Sequence, residues 1–117
     1  MDDIKISSGK LSPEALERNV LRYVGAERKE LLVGPAVGED AAVIEWPTGK
    51  YLVFSSDPIV GAEKGAGRLL VRINSNDIAS KGGDPAYLAV TLILPPSWGE
   101  EGAARIMREI HEECIAQ

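Results

Sequence analysis

Four acidic residues lie beside predicted secondary structure, where they could bind a divalent metal ion. Glu39 and Asp40 form a loop that leads into the apolar run 41–44, Asp57 follows a second apolar run, and Asp77 lies in a helical stretch. Carboxylates that converge repel one another and therefore imply a compensating cation. Hard oxygen ligands favour Mg²⁺ or Ca²⁺ over zinc, and Mg²⁺ typically takes one or two carboxylates with phosphates and water. The alternative is that these acids are simply solvated, as most acids are.

A second group of polar residues shares one face of the helix predicted over 66–81. Asn74, Asp77 and Lys81 are spaced at i, i+3 and i+7, and their mixed chemistry suits the phosphates and metal of a nucleotide. Asparagine and serine are poor helix formers, which favours a functional reason for their presence midway along the helix. The alternative is that Asp77 and Lys81 form an ordinary exposed i, i+4 ion pair.

A glycine-rich loop precedes this helix and could surround a phosphate group. Gly61, Gly65 and Gly67 would offer main-chain N–H groups at a helix N-terminus, beside the basic residues Lys64 and Arg68. The loop is not a P-loop, because no Gly-Lys-Ser/Thr follows at the required spacing. A flexible connector is the alternative interpretation.

Other catalytic chemistries have too few residues. With one histidine, His111, and one cysteine, Cys114, the chain offers neither a zinc site nor a Cys-His nucleophile pair. His111 has glutamates on both sides, which indicates a surface histidine. Lys10, near the N-terminus, is either an exposed lysine or a point charge that reaches a phosphate.

Composition limits the class of protein. The chain has 117 residues, of which 44% are hydrophobic and 26% charged, which is typical of one globular domain. Its net charge of −5 disfavours nucleic-acid binding. No apolar run reaches the roughly 20 residues of a membrane span, and the acidic start is unlike a signal peptide. We therefore expect a cytoplasmic location and no membrane partner.

The order of predicted elements indicates a mixed α and β fold. After a mobile arm over 1–11, Ser12 and Pro13 mark a helix start. Two strands joined by the turn 47–50 predict an antiparallel hairpin. The remaining elements are a helix, a strand and a last helix. In chain order, the strands and helices after the first helix are expected over 41–46, 51–56, 66–81, 87–94 and 99–116.

The strands are apolar on both faces, so both faces need to be covered. This holds for 87–94 and for 41–46. The helices can cover one face, and a second subunit is the simplest cover for the other. The predicted fold class is α/β (α+β): a mostly antiparallel sheet with helices on one face and a partner's sheet on the other.

Several motifs, in this order and spacing, resemble those of the AIR synthetase (PurM-like) superfamily. The most similar members are the AIR synthase-related proteins near the hydrogenase-maturation branch. The motifs are Gly38-Glu39-Asp40-Ala41-Ala42-Val43-Ile44, Ser56-Asp57-Pro58, the run 76–85 from Asn76-Asp77 to Gly82-Gly83-Asp84-Pro85, and Thr91-Leu92-Ile93-Leu94-Pro95.

The resemblance implies a dimer that binds ATP and Mg²⁺ along its interface and phosphorylates a substrate oxygen. By resemblance, the metal ligands would be Asp40, Asp57, Asp77 and Glu39, with Glu39 replacing the first acid of the usual Asp-Asp pair. The nucleotide-binding residues would be Lys10 and Asn76, to which the glycine-rich loop adds Gly65 and Gly67. The substrate, whether small molecule or protein, and the catalytic residues are not indicated.

The chain also departs from the family pattern. Members are roughly twice this length or more, and they continue into a Gly-Gly-x-Thr strand and a second α/β domain. Residues 12–117 are therefore expected to form a partial PurM N-terminal-like ATP-binding domain without the second domain. Such a chain would not be active alone, and a non-catalytic dimerisation or assembly module is the alternative function.

Overall fold

The computed structural model describes residues 9–59 and 64–117. Helix α1 spans Pro13–Leu16 and continues as a wider π-helical turn over Glu17–Leu21. Strands β1 and β2 span Leu31–Val33 and Val43–Ile44. Helix α2 spans Ala66–Ala79, and a 3₁₀ turn over Pro96–Trp98 leads into α3, Gly99–Ala116. The α+β composition predicted from the sequence is confirmed at this level.

The predicted start of the first helix is confirmed. The Ser12 hydroxyl accepts a hydrogen bond from the N–H of Ala15 at 3.1 Å, and Pro13 occupies the first helical turn. This cap satisfies one of the N–H groups that a helix start leaves without an internal partner. The predicted helices at 66–81 and 99–116 are also present, the former ending at Ala79.

Helices α2 and α3 pack together to form the core. Val71 of α2 is buried against Ile106, Met107 and Ile110 of α3. The close approach depends on Gly67, where an added Cβ would lie 2.6 Å from the Cβ of Glu109. The amphipathic spacing of α3 therefore supplies the main apolar surface, and a glycine in α2 lets the two backbones come together.

The predicted hairpin between 41–46 and 51–56 is wrong. Instead, β2 pairs antiparallel with β1, with Leu31 opposite Ile44. The N–H of Glu45 extends this pairing by donating to the carbonyl of Glu30 at 2.8 Å. Strand β1 was not among the predicted strands, because an apolar run of three residues is too short to show a strand by alternation.

The segments 51–56 and 87–94 form no strand within this chain, contrary to prediction. Segment 87–94 nevertheless alternates as a strand does. Leu88, Val90 and Leu92 pack on the core, whereas Ile93 on the opposite face is 92% exposed. A strand requires a hydrogen-bonded neighbour, and apolar alternation alone does not supply one.

His111 is half-buried, which corrects its interpretation as a surface histidine. Its Nδ1 accepts a hydrogen bond from the N–H of Gly25 at 2.9 Å, and its ring meets Tyr23 edge-on. His111 follows Ile110 and lies at the edge of the apolar face of α3. Gly25, at the end of the N-terminal segment (residues 9–25), can therefore contact it.

Among the described helices, none is long and apolar enough to cross a membrane.

Candidate functional site

The best-defined polar site lies where the segment 55–57 meets one face of α2. The side-chain amide of Asn74 donates a hydrogen bond to the main-chain carbonyl of Asp57 at 3.1 Å. The hydroxyl of Ser55 lies 3.5 Å from Oδ2 of Asp77, one helical turn further along. These contacts place the main chain of segment 55–57 against the face of α2 that bears Asn74 and Asp77.

A cavity of about 510 Å³ opens beside this polar site. Its walls differ in character. Ser55, Asp57 and Asn74 are polar, whereas Val71 and Leu88 belong to the apolar surface between the helices and the extended segment. Cys114 also lines this cavity, and burial, followed by the nearby Glu113 charge, raises the pKa of its thiol. A thiol held protonated in this way is a poor nucleophile at neutral pH.

Glu39 and Asp40 lie elsewhere, in the exposed loop between β1 and β2. The N–H of Glu39 closes a turn onto the carbonyl of Ala36 at 3.2 Å. Within residues 9–59 and 64–117, no three His, Cys, Asp or Glu side chains are grouped so that they could hold a metal ion. Of the four predicted acidic ligands, Asp57 belongs to a segment that contacts the helix carrying Asp77, and the assignment of all four stays a prediction.

The donor set at Asp57 and Asp77 fits a hard cation. The four ion pairs seen in the described part of the chain use other acids: Glu30, Glu100, Glu112 and Glu113. Two carboxylates with a nearby hydroxyl are oxygen ligands of the kind that Mg²⁺ takes together with phosphate oxygens and water. Asp57 and Asp77 therefore suit a metal that phosphate ligands would complete.

The predicted phosphate loop has a different neighbour. The N–H of Gly65 donates to Oε2 of Glu109 at 3.3 Å, and Gly67 is covered by α3. A phosphate at this helix N-terminus would have to displace the Glu109 carboxylate, which already benefits from the positive end of the helix dipole. Gly61 lies outside the described residues.

Two buried polar atoms lie near this helix end. Oε1 of Glu109 and Nε of Arg105, one turn earlier on α3, have no hydrogen-bond partner within the described chain. The guanidinium of Arg105 stacks over the ring of Trp98 at 5.1 Å. The contact of Arg105 with Trp98 and that of Glu109 with Gly65 indicate a structural role for both residues of α3.

The remaining predicted nucleotide contacts are dispersed. Lys10 is exposed and lines a second cavity of about 510 Å³, mainly apolar, between α1, α3 and the extended segment 87–94. Asn76 is exposed on α2, and Lys81 lies beyond its last residue, Ala79. Asn74, by contrast, contacts the Asp57 segment. Of the two asparagines in the run 74–77, Asn74 is therefore the one that makes a hydrogen bond at the site.

A separate charged cluster lies away from this site. Arg28 pairs with Glu30 and stacks over the ring of Tyr87 at 5.5 Å. The pKa of Glu30 is lowered to about 2, first by its own main-chain N–H, then by hydrogen bonds from Arg28 and Tyr87. The pKa of Tyr87 is raised by partial burial and by Glu30. This cluster fixes the start of β1 beside the extended segment and contains no member of the predicted metal set.

The structure is a small α+β domain in which the segment ending at Asp57 packs on the helix face that carries Asp77. Residues 38–116 match the family described as AIR synthase related protein, N-terminal domain. The chain belongs to this family. The family assignment made from the motifs is therefore confirmed.

One curated relative extends the comparison. The chain is 27% identical to a thiamine-monophosphate kinase from Rhodopirellula baltica (strain DSM 10527 / NCIMB 13988 / SH1) over a match that covers 86% of this chain and 36% of the kinase. The chain thus spans little more than a third of that relative. No solved structure matches it.

Proposed function

We propose that this chain is the ATP- and Mg²⁺-binding, dimer-forming N-terminal half of an enzyme that transfers a phosphoryl group from ATP to a substrate oxygen. Membership of the AIR synthase-related family and similarity to a thiamine-monophosphate kinase support a kinase-like, ATP-using class. The observation that carries the proposal is the contact of segment 55–57 with the face of α2 that bears Asp77.

In this proposal Asp57 and Asp77 hold Mg²⁺, which neutralises phosphate charge as the phosphoryl group moves. Asn76, which precedes Asp77 on α2, and Lys10, which lines the second cavity, would contact the nucleotide. Glu39 and Asp40 would join the site from the β1–β2 loop of a second copy, since within one copy they lie apart from the other acids. The acceptor would be a small molecule or a protein side chain.

Calorimetric titration with ATP and Mg²⁺ tests the proposal. We expect the wild-type chain to bind ATP only when Mg²⁺ is present. In a double Asp57→Asn, Asp77→Asn variant, the addition of Mg²⁺ should no longer change ATP binding. Asp84→Asn is the matched control, because Asp84 is an exposed acid beyond the end of α2. Equal Mg²⁺-dependent binding by the wild type and the double variant would exclude this site.

A non-catalytic dimerisation module is the second candidate, and a specific observation favours it. Tyr51, Leu52 and Phe54 are exposed on a segment that forms no strand within the chain. A second copy could supply the missing neighbour and cover these side chains. A dimer in light scattering that binds no ATP with Mg²⁺ would favour this function over the kinase-like one.

A further inference from the structure

We propose that Asn74 is a positioning residue: its side-chain amide anchors the main chain of Asp57 on α2 and so sets the Asp57 carboxylate beside Asp77 for a divalent cation. This inference rests on the proposed function. It assigns a role to the asparagine that precedes the Asn76-Asp77 pair of the family motif.

The geometry of Asn74 suits an anchor. Its Nδ2 lies 3.1 Å from the carbonyl oxygen of Asp57 and 2.8 Å from the carbonyl oxygen of Leu70, one turn back on α2. The two hydrogens of a side-chain amide can serve both acceptors at once, which leaves Oδ1 available as an acceptor. The bond to Leu70 fixes the rotamer, and the bond to Asp57 then holds a segment that is distant in sequence.

The Asp57 segment needs such an anchor, because it lacks the support of a strand. Residues 51–59 form no strand within the chain, and Pro58 provides no N–H to fix the backbone after Asp57. The other polar contact to α2, between Ser55 and Asp77, is long at 3.5 Å and correspondingly weak. Asn74 therefore makes the stronger of the two described hydrogen bonds that hold this segment on the helix.

The chemistry explains why the residue is an asparagine in an unfavourable position. Asparagine lowers helix propensity relative to alanine, so its presence in the middle of α2 requires a compensating interaction. An aspartate at position 74 would provide no hydrogen-bond donor, and its carboxylate would repel the main-chain carbonyl oxygen of Asp57. Groups that orient a metal ligand without touching the metal typically change affinity 10–100-fold when they are removed.

Asn74→Ala tests the proposal, because alanine favours the helix and removes only the amide. Asn74→Asp keeps the side-chain size but removes the donor. Leu69→Ala is the matched control, since Leu69 is exposed on the same helix and the substitution likewise introduces an alanine. Each full-length variant is titrated with ATP and Mg²⁺ by calorimetry, and the ¹⁵N order parameters of residues 55–57 are measured without ligand.

We expect both Asn74 variants to bind Mg²⁺ with ATP at least about tenfold more weakly than wild type. The order parameters of 55–57 should fall below about 0.6 while those of α3 stay near 0.85. Leu69→Ala should leave both the affinity and the mobility of 55–57 unchanged. Wild-type affinity in the Asn74 variants, or unchanged order parameters, would overturn the role of Asn74 alone. A wild-type chain that binds no Mg²⁺ with ATP would instead overturn the proposed function and the part of Asn74 in it.

Discussion

The main-chain N–H of Gly25 donates a hydrogen bond to Nδ1 of His111 at 2.9 Å, joining the end of the N-terminal segment to α3. Gly25 has a positive φ of 75°, so it turns the chain in a way that few other residues allow. The ring of His111 also meets Tyr23 at a centroid distance of 5.8 Å. Glu100 makes a second attachment near the start of α3, so the N-terminal segment is held at two separate points.

The His111 contact predicts both a tautomer and a stability effect. Because Nδ1 accepts, the neutral ring carries its proton on Nε2, which long-range ¹⁵N–¹H spectra can detect. His111→Ala should lower the free energy of unfolding by about 1–2 kcal/mol, since it leaves the Gly25 N–H without its acceptor. Arg108→Ala, at an exposed position of the same helix, should change it by under about 0.5 kcal/mol. A proton found on Nδ1 would contradict the hydrogen bond.

The second attachment gives a matched pair of substitutions. Glu100 accepts hydrogen bonds from Arg18 and from Nδ2 of Asn19, the latter at 2.8 Å. Glu101 lies beside it in the same helical turn but is exposed. Both acids interact with the same helix dipole, so their difference isolates the contacts to the N-terminal segment.

Glu100→Ala should therefore destabilise the chain by about 1 kcal/mol more than Glu101→Ala in urea unfolding. A double-mutant cycle with Arg18→Ala should give a smaller coupling, about 0.5 kcal/mol, because Arg18 is half exposed. Equal effects of the two glutamate substitutions would mean that the N-terminal segment does not depend on Glu100.

Gly67 gives a prediction that separates packing from phosphate binding. An added Cβ would lie 2.6 Å from the Cβ of Glu109 and 2.7 Å from the carbonyl oxygen of Ile106, and main-chain atoms cannot move aside. Gly67→Ala should cost about 1–3 kcal/mol in thermal or urea unfolding, despite the better helix propensity of alanine. If the stability is unchanged and ATP affinity falls instead, Gly67 acts through the nucleotide and not through α3.

The Glu30 cluster predicts an acid-dependent loss of stability. The pKa of Glu30 is about 2 in the folded chain, below its ordinary value of 4.5. A depressed pKa contributes stability above the unfolded value, and that contribution is lost as the pH falls from about 4.5 toward 2. Carboxyl ¹³C titration should place the Glu30 midpoint near 2, and Tyr87→Phe should raise it.

Glu30→Gln is the control for this titration, because it cannot ionise. Its stability difference from wild type should shrink as the pH is lowered through the same window. The effect should also weaken in high salt, since the cluster is partly exposed. A Glu30 midpoint near 4.5 would contradict the cluster geometry.

Local signals in the sequence identified the helices but not the neighbours of the strands. Ser12 and Pro13 predicted a helix start, and the last helix was expected over 99–116, because caps and periodicity act within a few residues. The partner of β2 depends on register and loop closure over a distance, so the apolar run 31–33 was missed as a strand.

The same difference between local signals and long-range contacts applies to the candidate site. Motif order identified the family, and helical spacing placed Asn74 and Asp77 on one face, as the structure has them. The contact between Asn74 and Asp57 joins residues 17 positions apart, so it could not be read from spacing. His111 was misplaced for the same reason, because its partner Gly25 lies 86 positions away.

The exposed apolar segment 51–56 leads to the last prediction, which concerns the proposed dimer. Tyr51 is 95% exposed and Phe54 is 80% exposed, on a stretch whose backbone forms no strand within the chain. An arrangement of this kind is a ready template for pairing with another chain. We expect a concentration-dependent dimer in light scattering. Phe54→Arg should shift the dimer to monomer, because it places a charge in the face that the second copy would cover.

Ile115→Arg is the matched control for Phe54→Arg. Ile115 is an exposed apolar residue near the end of α3, and the helices are expected to cover the opposite face of the sheet. A wild-type chain that stays monomeric at every concentration, or a dimer that tolerates Phe54→Arg, would remove this segment as the interface.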